Sequence, residues 1–254
     1  MPSTTPAAGA DLIALRDEVE RAAGHYYHTP QQQGIDRRTK QFVVDRCVPF
    51  VRGPHVLDLG YVDGQWADAL LPLGCRVDIV EGAVRHVEHA RLRYAGCGDV
   101  RVHHCLFQEY TPNTLYDTII AGDMLRYLPD PAAFLLLAGG WLQPGGRLIA
   151  TLPNGRSLHR RVGALMNLEA TPVQANQRDQ EVGNRQSYDR YEFRHLLLQG
   201  GLEIEMLRGC FLKPLSSAQM ENWNDELLRA FLDVGDELED YCWFLYAVCR
   251  KGRP

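Results

Sequence analysis

His55-Val56-Leu57-Asp58-Leu59-Gly60-Tyr61-Val62-Asp63-Gly64 is the stretch on which the reading of this 254-residue chain turns. His55, Val56 and Leu57 lead to the acidic Asp58, and Leu59 to a glycine, the pattern of a short buried strand that ends in a sharp turn. A second glycine follows four positions later, where a helix can begin. A strand–turn–helix of this kind brings backbone close to a ligand and turns the positive end of a helix toward it.

Outward from this turn the chain alternates. Trp66, Ala69 and Leu70 lie on a helix that stops near Pro72-Leu73-Gly74, and Arg76–Val80 is a second strand ending in Glu81. A His- and Arg-rich helix over Ala83–Tyr94 leads through Gly96-Cys97-Gly98 to a third strand, Val100–Leu106. Tyr116–Ala121 reads as a fourth strand, and Arg147–Leu152 as a fifth after the Pro144-Gly145-Gly146 turn. The pattern resumes at Tyr188–Leu198 (helix) and Leu202–Leu207 (strand), then a long helix around Ala218–Leu238 and a last strand, Trp243–Cys249. Short strands separated by helices predict an α/β fold, a parallel sheet covered on both faces. Right-handed crossovers then place the strands' carboxyl ends on one edge.

Two helices, about Asp11–Ala23 and Asp36–Val51, precede the first strand, so residues 1–52 read as a leader and a helical extension over the cleft. Residues 53–254 form the main domain, interrupted at 153–187 by a segment too long for an ordinary loop and read as a cover. The hydrophobic fraction is 45% and the charged fraction 23%, enough for a packed core. A net charge of −5 and the absence of a basic run argue against a broad phosphate-binding face. Seven scattered cysteines contain no C-x-x-C pair, so no disulfide framework or zinc knuckle is expected. No apolar run approaches the roughly 20 residues that a bilayer requires, and a soluble, cytoplasmic protein is the expectation.

With the first strand, Glu81, the Tyr116–Ala121 strand and Leu142-Gln143-Pro144-Gly145-Gly146 in place, the chain resembles the class I S-adenosylmethionine-dependent methyltransferases. The resemblance implies a Rossmann-like seven-stranded sheet of order 3-2-1-4-5-7-6 with the last strand antiparallel. It implies that Asp58, Gly60 and Gly64 form the loop against the cofactor's methionine part. Glu81 stands where a carboxylate accepts both ribose hydroxyls, a match of two acceptor oxygens to a diol. Leu106 and Phe107 fall in the adenine-contacting segment, and Asp123 in the loop that faces cofactor and acceptor together. The sequence departs from the pattern twice: Val62 replaces the frequent middle glycine, and Asp123-Met124-Leu125-Arg126-Tyr127 replaces a His-x-Leu-Glu-His run. A dinucleotide reading needs G-x-G-x-x-G, and from Gly60 the second and third positions are Val62 and Gln65.

The expected chemistry is methyl transfer to an oxygen or nitrogen of a small molecule, of the kind that tailors antibiotics, other specialised metabolites or sugars. An in-line displacement requires alignment and exclusion of water, with a base where the nucleophile carries a proton. His159, Asp123 and Tyr127 are the candidate bases, and Tyr26, Tyr27 and Tyr188 the candidate lid or substrate aromatics. His86, His89, His103 and His104 read as surface or half-buried side chains rather than metal ligands, with His86 and His89 beyond the cleft edge. The expected partner is a small-molecule acceptor, with neither nucleic acid, membrane nor metal, and a homo-oligomer is left open. The competing readings are a nucleic-acid methyltransferase and a non-catalytic relative that keeps the fold.

Overall fold

Along the first strand, β1 (His55–Leu59), Leu57 and Leu59 enter one apolar cluster and Val56 enters another. Successive side chains of a strand point to opposite faces, so this alternation requires cover on both sides. The structure, a computed structural model, describes residues 9–26, 34–167 and 183–252, with side chains of the first segment described for 12–24.

The remaining strands are β2 (Arg76–Glu81), β3 (Val100–His104), β4 (Tyr116–Gly122), β5 (Leu142–Pro153), β6 (Leu202–Cys210) and β7 (Phe244–Lys251). Among the described residues they form one seven-stranded sheet of order β3-β2-β1-β4-β5-β7-β6. The first five pair in parallel, and β7 runs antiparallel to both β5 and β6. The order predicted from the resemblance is the order found.

One face is covered by α5 (Pro131–Gly139) and α7 (Arg190–Gln199), through Phe134, Leu135, Phe193 and Leu197. The other carries α2 (Ile35–Cys47), α3 (Gln65–Leu70), α4 (Val84–Arg93) and α9 (Asp225–Glu237). Val43, Ala67, Leu70, Ala90 and Leu228 supply its buried contacts. The first helix, α1 (Gly9–Tyr26), α6 (Leu158–Leu165) and the short α8 (Ser217–Met220) complete the described helices.

Two expected elements differ. β5 starts at Leu142, not Arg147, and its pairing jumps from Tyr116–Leu142 to Thr118–Arg147, so the Pro-Gly-Gly turn is a bulge inside the strand. The long helix expected at 218–238 is broken, because the Asn224 side chain accepts the Leu227 N–H at 2.9 Å and starts α9 afresh.

The strand order reverses between β1 and β4. In open α/β sheets a ligand crevice opens there, beyond the carboxyl ends of the strands. The glycine turn after β1, Glu81 at the end of β2, and Gly122 at the end of β4 all meet at this point.

Candidate cofactor and acceptor cleft

The loop after β1 makes three excursions into the left-handed region, with φ of +94° at Gly60, +49° at Val62 and +81° at Gly64. Gly64 has a steric reason as well as a conformational one, since a Cβ there would lie 2.6 Å from the Tyr94 hydroxyl. Val62 is a β-branched residue in a conformation that such residues rarely adopt, at the position where the resemblance led to the expectation of a glycine. α3, which follows, has only six residues, so the loop backbone rather than a helix dipole faces the cleft.

Glu81 is 6% exposed and lines the cleft. Its Oε2 accepts the Tyr61 N–H at 3.0 Å and its Oε1 the Ala83 N–H at 2.8 Å, while His86 Nδ1 stands 3.3 Å from Oε2. Burial pushes this carboxyl up, but the His86 contact and the two amides outweigh it and leave the group below its ordinary range. Asp58 goes the other way. It is 1% exposed, and burial, then the neighbouring Glu81 and Asp63 carboxylates, raise it well above the usual value. Neither of its oxygens has a hydrogen-bond partner among the described residues, so it does not tie the loop by hydrogen bonds. It also lies beneath the loop rather than among the lining residues.

Leu106 and Phe107 line the cleft beside Gly60, and the Phe107 ring packs on Phe134 at 6.0 Å. This half of the cleft fits S-adenosylmethionine: a buried acidic acceptor, an apolar wall within reach, and a glycine backbone between them.

The other half begins at Asp123, whose φ is +59° and whose N–H donates to the Thr151 carbonyl at 2.9 Å. Its carboxylate meets Arg126 Nε at 2.8 Å and Lys40 Nζ at 3.6 Å. Arg126 also donates to the Tyr127 hydroxyl at 3.0 Å and lies over that ring, 5.0 Å from its centroid. Lys40 comes from α2, as do the apolar lining residues Val43 and Val44, and Phe244 of β7 closes the far wall. Trp66 forms the floor against Gly122, where a Cβ would meet the indole Nε1 at 2.6 Å.

α1 lies along the mouth, with Leu15, Val19 and Ala22 lining the cleft. Arg16 bonds Glu109 at 2.6 Å, in the segment that follows Phe107, and Glu20 accepts the Val84 N–H at 2.7 Å at the start of α4. A further ion pair joins Glu18 to Arg185, which falls within the 153–187 stretch expected as a cover.

The structure thus brings Gly60, Glu81, Leu106, Phe107, Asp123 and Tyr127 to one lining, with Asp58 beneath and Gly64 at the start of α3, off the lining. It does not bring His159 to the lining: His159 sits on α6, its Nδ1 3.2 Å from the Ser157 hydroxyl. Burial, then the Lys213 and Arg160 charges, pull this imidazole down to about 3. Tyr188 is buried in the core and pairs by backbone with Asn154 and Gly155, lining a small adjoining pocket instead. Tyr27, and the side chain of Tyr26, lie outside the described residues.

The expectation for His86 needs correcting. It is 5% exposed and lines the cleft, because the first turn of α4 faces back toward Glu81 rather than outward. Its spacing of five from Glu81, across a turn into a helix, was the available signal. Lys40 had none, since α2 reaches Asp123 only through tertiary packing. Among the described residues no three His, Cys, Asp or Glu side chains group as a metal site requires, and no helix is long and apolar enough to cross a membrane.

Residues 31–207 match a family model described as a methyltransferase domain. The ubiquinone biosynthesis O-methyltransferase of Xanthomonas euvesicatoria is 30% identical over 105 residues, 40% of this chain and 44% of that protein. The match thus spans a little under half the length of that relative. The CcbJ methyltransferase of Streptomyces caelestis superposes with a TM-score of 0.61 at 15% identity, over 93% of this chain and 98% of its own. The N-methyltransferase NodS of Bradyrhizobium japonicum, in complex with S-adenosyl-L-homocysteine, gives 0.55 at 14% identity, over 95% and 98%.

Proposed function

The chain belongs to the methyltransferase domain family, and on that premise we propose that it methylates an oxygen or nitrogen of a discrete small molecule held between α2 and the Asp123 loop. S-adenosylmethionine is the methyl donor. The observation that carries the acceptor reading is the cleft's division. One half offers Glu81 and the Leu106–Phe107 wall, and the other offers Lys40, Asp123 and Tyr127 beside Val43, Val44 and Phe244.

The donor, when bound, supplies an electrophilic methyl with a neutral leaving group. The chain's part is to hold and align. Glu81 holds the ribose hydroxyls, Leu106 and Phe107 cover the adenine, and the Gly60–Asp63 backbone borders the methionine part. α1, as part of the N-terminal extension, closes the mouth and limits water, which otherwise competes with the acceptor. The expected cover at 153–187 includes residues 168–182, which lie outside the described residues.

Asp123 is the proposed proton acceptor, because its carboxylate faces the acceptor half and is positioned by Arg126 and Lys40. Tyr127 orients the acceptor through its hydroxyl. His159 is the weakest of the three because it sits on α6, off the cleft lining. The acceptor class fits the tailoring of specialised metabolites, quinone-type rings or sugars; the names of the ubiquinone-pathway relative and of NodS fit transfer to oxygen and to nitrogen respectively.

The test is a transfer assay with radiolabelled S-adenosylmethionine against a panel of phenols, amines, sugars and a short RNA. Transfer to a small acceptor, with Asp123→Asn lowering kcat by about 10²-fold or more and leaving donor affinity intact, is the expected result. Transfer to RNA alone would overturn the acceptor reading, and an unchanged kcat would remove Asp123 as the base.

A further inference from the structure

Two carboxyls are buried side by side at the cofactor end of the cleft, and they differ in their partners. Asp58 and Glu81 lie on adjacent strands, with Asp58 opposite Ile79 in the register. Two like charges so placed in a low-dielectric site disfavour joint ionisation, and the one with more donors keeps its charge. Glu81 accepts two backbone N–H groups and has His86 Nδ1 3.3 Å from Oε2, whereas Asp58 has no hydrogen-bond partner among the described residues.

Two of these Glu81 contacts are backbone amides, one from the glycine loop and one from the start of α4. They are fixed by the fold. The third contact is a side chain, His86, itself almost fully buried and reaching Oε2 from the first turn of α4. A carboxylate offers about four acceptor directions, so two amides and the His86 contact still leave room toward the cavity that Glu81 lines. A glutamate side chain has three rotatable bonds, and a buried carboxylate that loses a donor swings toward another or takes a proton. Either change removes an acceptor from the position that a diol would use.

We propose that His86 is a positioning residue for the cofactor's ribose: through Nδ1–H it holds Glu81 in the rotamer that presents the carboxylate to the hydroxyls. This rests on the reading of Glu81 as the ribose acceptor. His86 acts through Glu81 and makes no contact of its own with the cofactor that the inference requires.

The experiment is calorimetric titration of the full chain with S-adenosylhomocysteine and with its 2′-deoxy analogue, which lacks one hydroxyl. A charge-assisted hydrogen bond makes the wild type prefer the ribose form by about tenfold or more. His86→Phe is expected to reduce that preference to about threefold or less. His86→Asn, whose amide can reach close to where Nδ1 lies, restores most of it. His86→Ala serves the same purpose should the bulkier ring not be accommodated, and thermal melts of every variant report folding separately from binding.

A His86→Phe or His86→Ala chain that keeps the wild-type preference overturns the proposal, even where both affinities fall together. Glu81→Gln separates the two layers of the argument. If Glu81→Gln leaves the preference unchanged, the ribose reading itself is wrong; if it abolishes the preference while the His86 variants do not, only the role of His86 is lost.

Discussion

Replacing Val62 by alanine and by glycine gives opposite answers about the loop after β1, and the contrast measures strain in the backbone. Val62 holds φ at +49°, between two glycines that are also left-handed. For an L-residue this region costs about 1–2 kcal/mol, and glycine escapes the cost. Glycine instead loosens the unfolded chain, worth about 0.5–1 kcal/mol against alanine. The Val62 side chain is half-buried at the cleft, so either truncation loses the same part-exposed methyls. That shared loss, of about 1 kcal/mol or less, cancels in the comparison. The Val62→Gly chain should therefore be more stable than Val62→Ala by about 1 kcal/mol. In a chain of this size that separates their midpoints by about 2–4 °C. Differential scanning calorimetry of both variants, without added cofactor, reads the difference directly. An alanine variant that melts at or above the glycine variant would refute the claim that this position is strained.

Gly122→Ala places a Cβ 2.6 Å from the Trp66 indole nitrogen and 3.2 Å from Cδ1, so the ring must move. The expected cost is about 1–3 kcal/mol of stability, with a changed tryptophan emission and weaker S-adenosylhomocysteine binding; unaltered melting and affinity would contradict the close approach. His159 has an ordinary value of 6.5 and a folded value near 3, so between these pH values the unfolded chain binds a proton that the native chain does not. Stability then falls as pH drops from about 6.5 to 3, and His159→Asn should flatten that part of the melting profile; parallel profiles would show that this imidazole is not held neutral. Arg16 and Glu109 form an exposed pair, worth about 0.2–1 kcal/mol to the fold. Arg16→Ala should hardly move the melting temperature yet speed release of S-adenosylhomocysteine in stopped flow, and an unchanged release rate would argue against α1 as the cover.

The cofactor half of the site was legible because its signals are short-range. Asp58, Gly60 and Gly64 lie within one strand and turn, Glu81 ends the next strand, and Leu106–Phe107 ends the segment after that. Period-two alternation along β1 and the spacing of the later strands were enough for the sheet and, with the resemblance, for its order. Even the departure at Val62 was visible as a departure. Its meaning was not, since a residue name does not state its φ.

What tertiary structure decided is the other half of the cleft and the partners of the buried charges. Lys40 meets Asp123 because α2 folds back over the end of β4, and Arg16 reaches Glu109 because α1 lies across β3's following loop. His86 looked like one of several surface histidines until the first turn of α4 was seen to face Glu81. His159, attractive as a residue type, was carried away from the lining on α6. The physical reason is common to all four. Strand periodicity and turn chemistry act between near neighbours and are written in local order. A side chain's charge state and its access to a cleft depend on which distant element packs against it, and only the folded chain settles that.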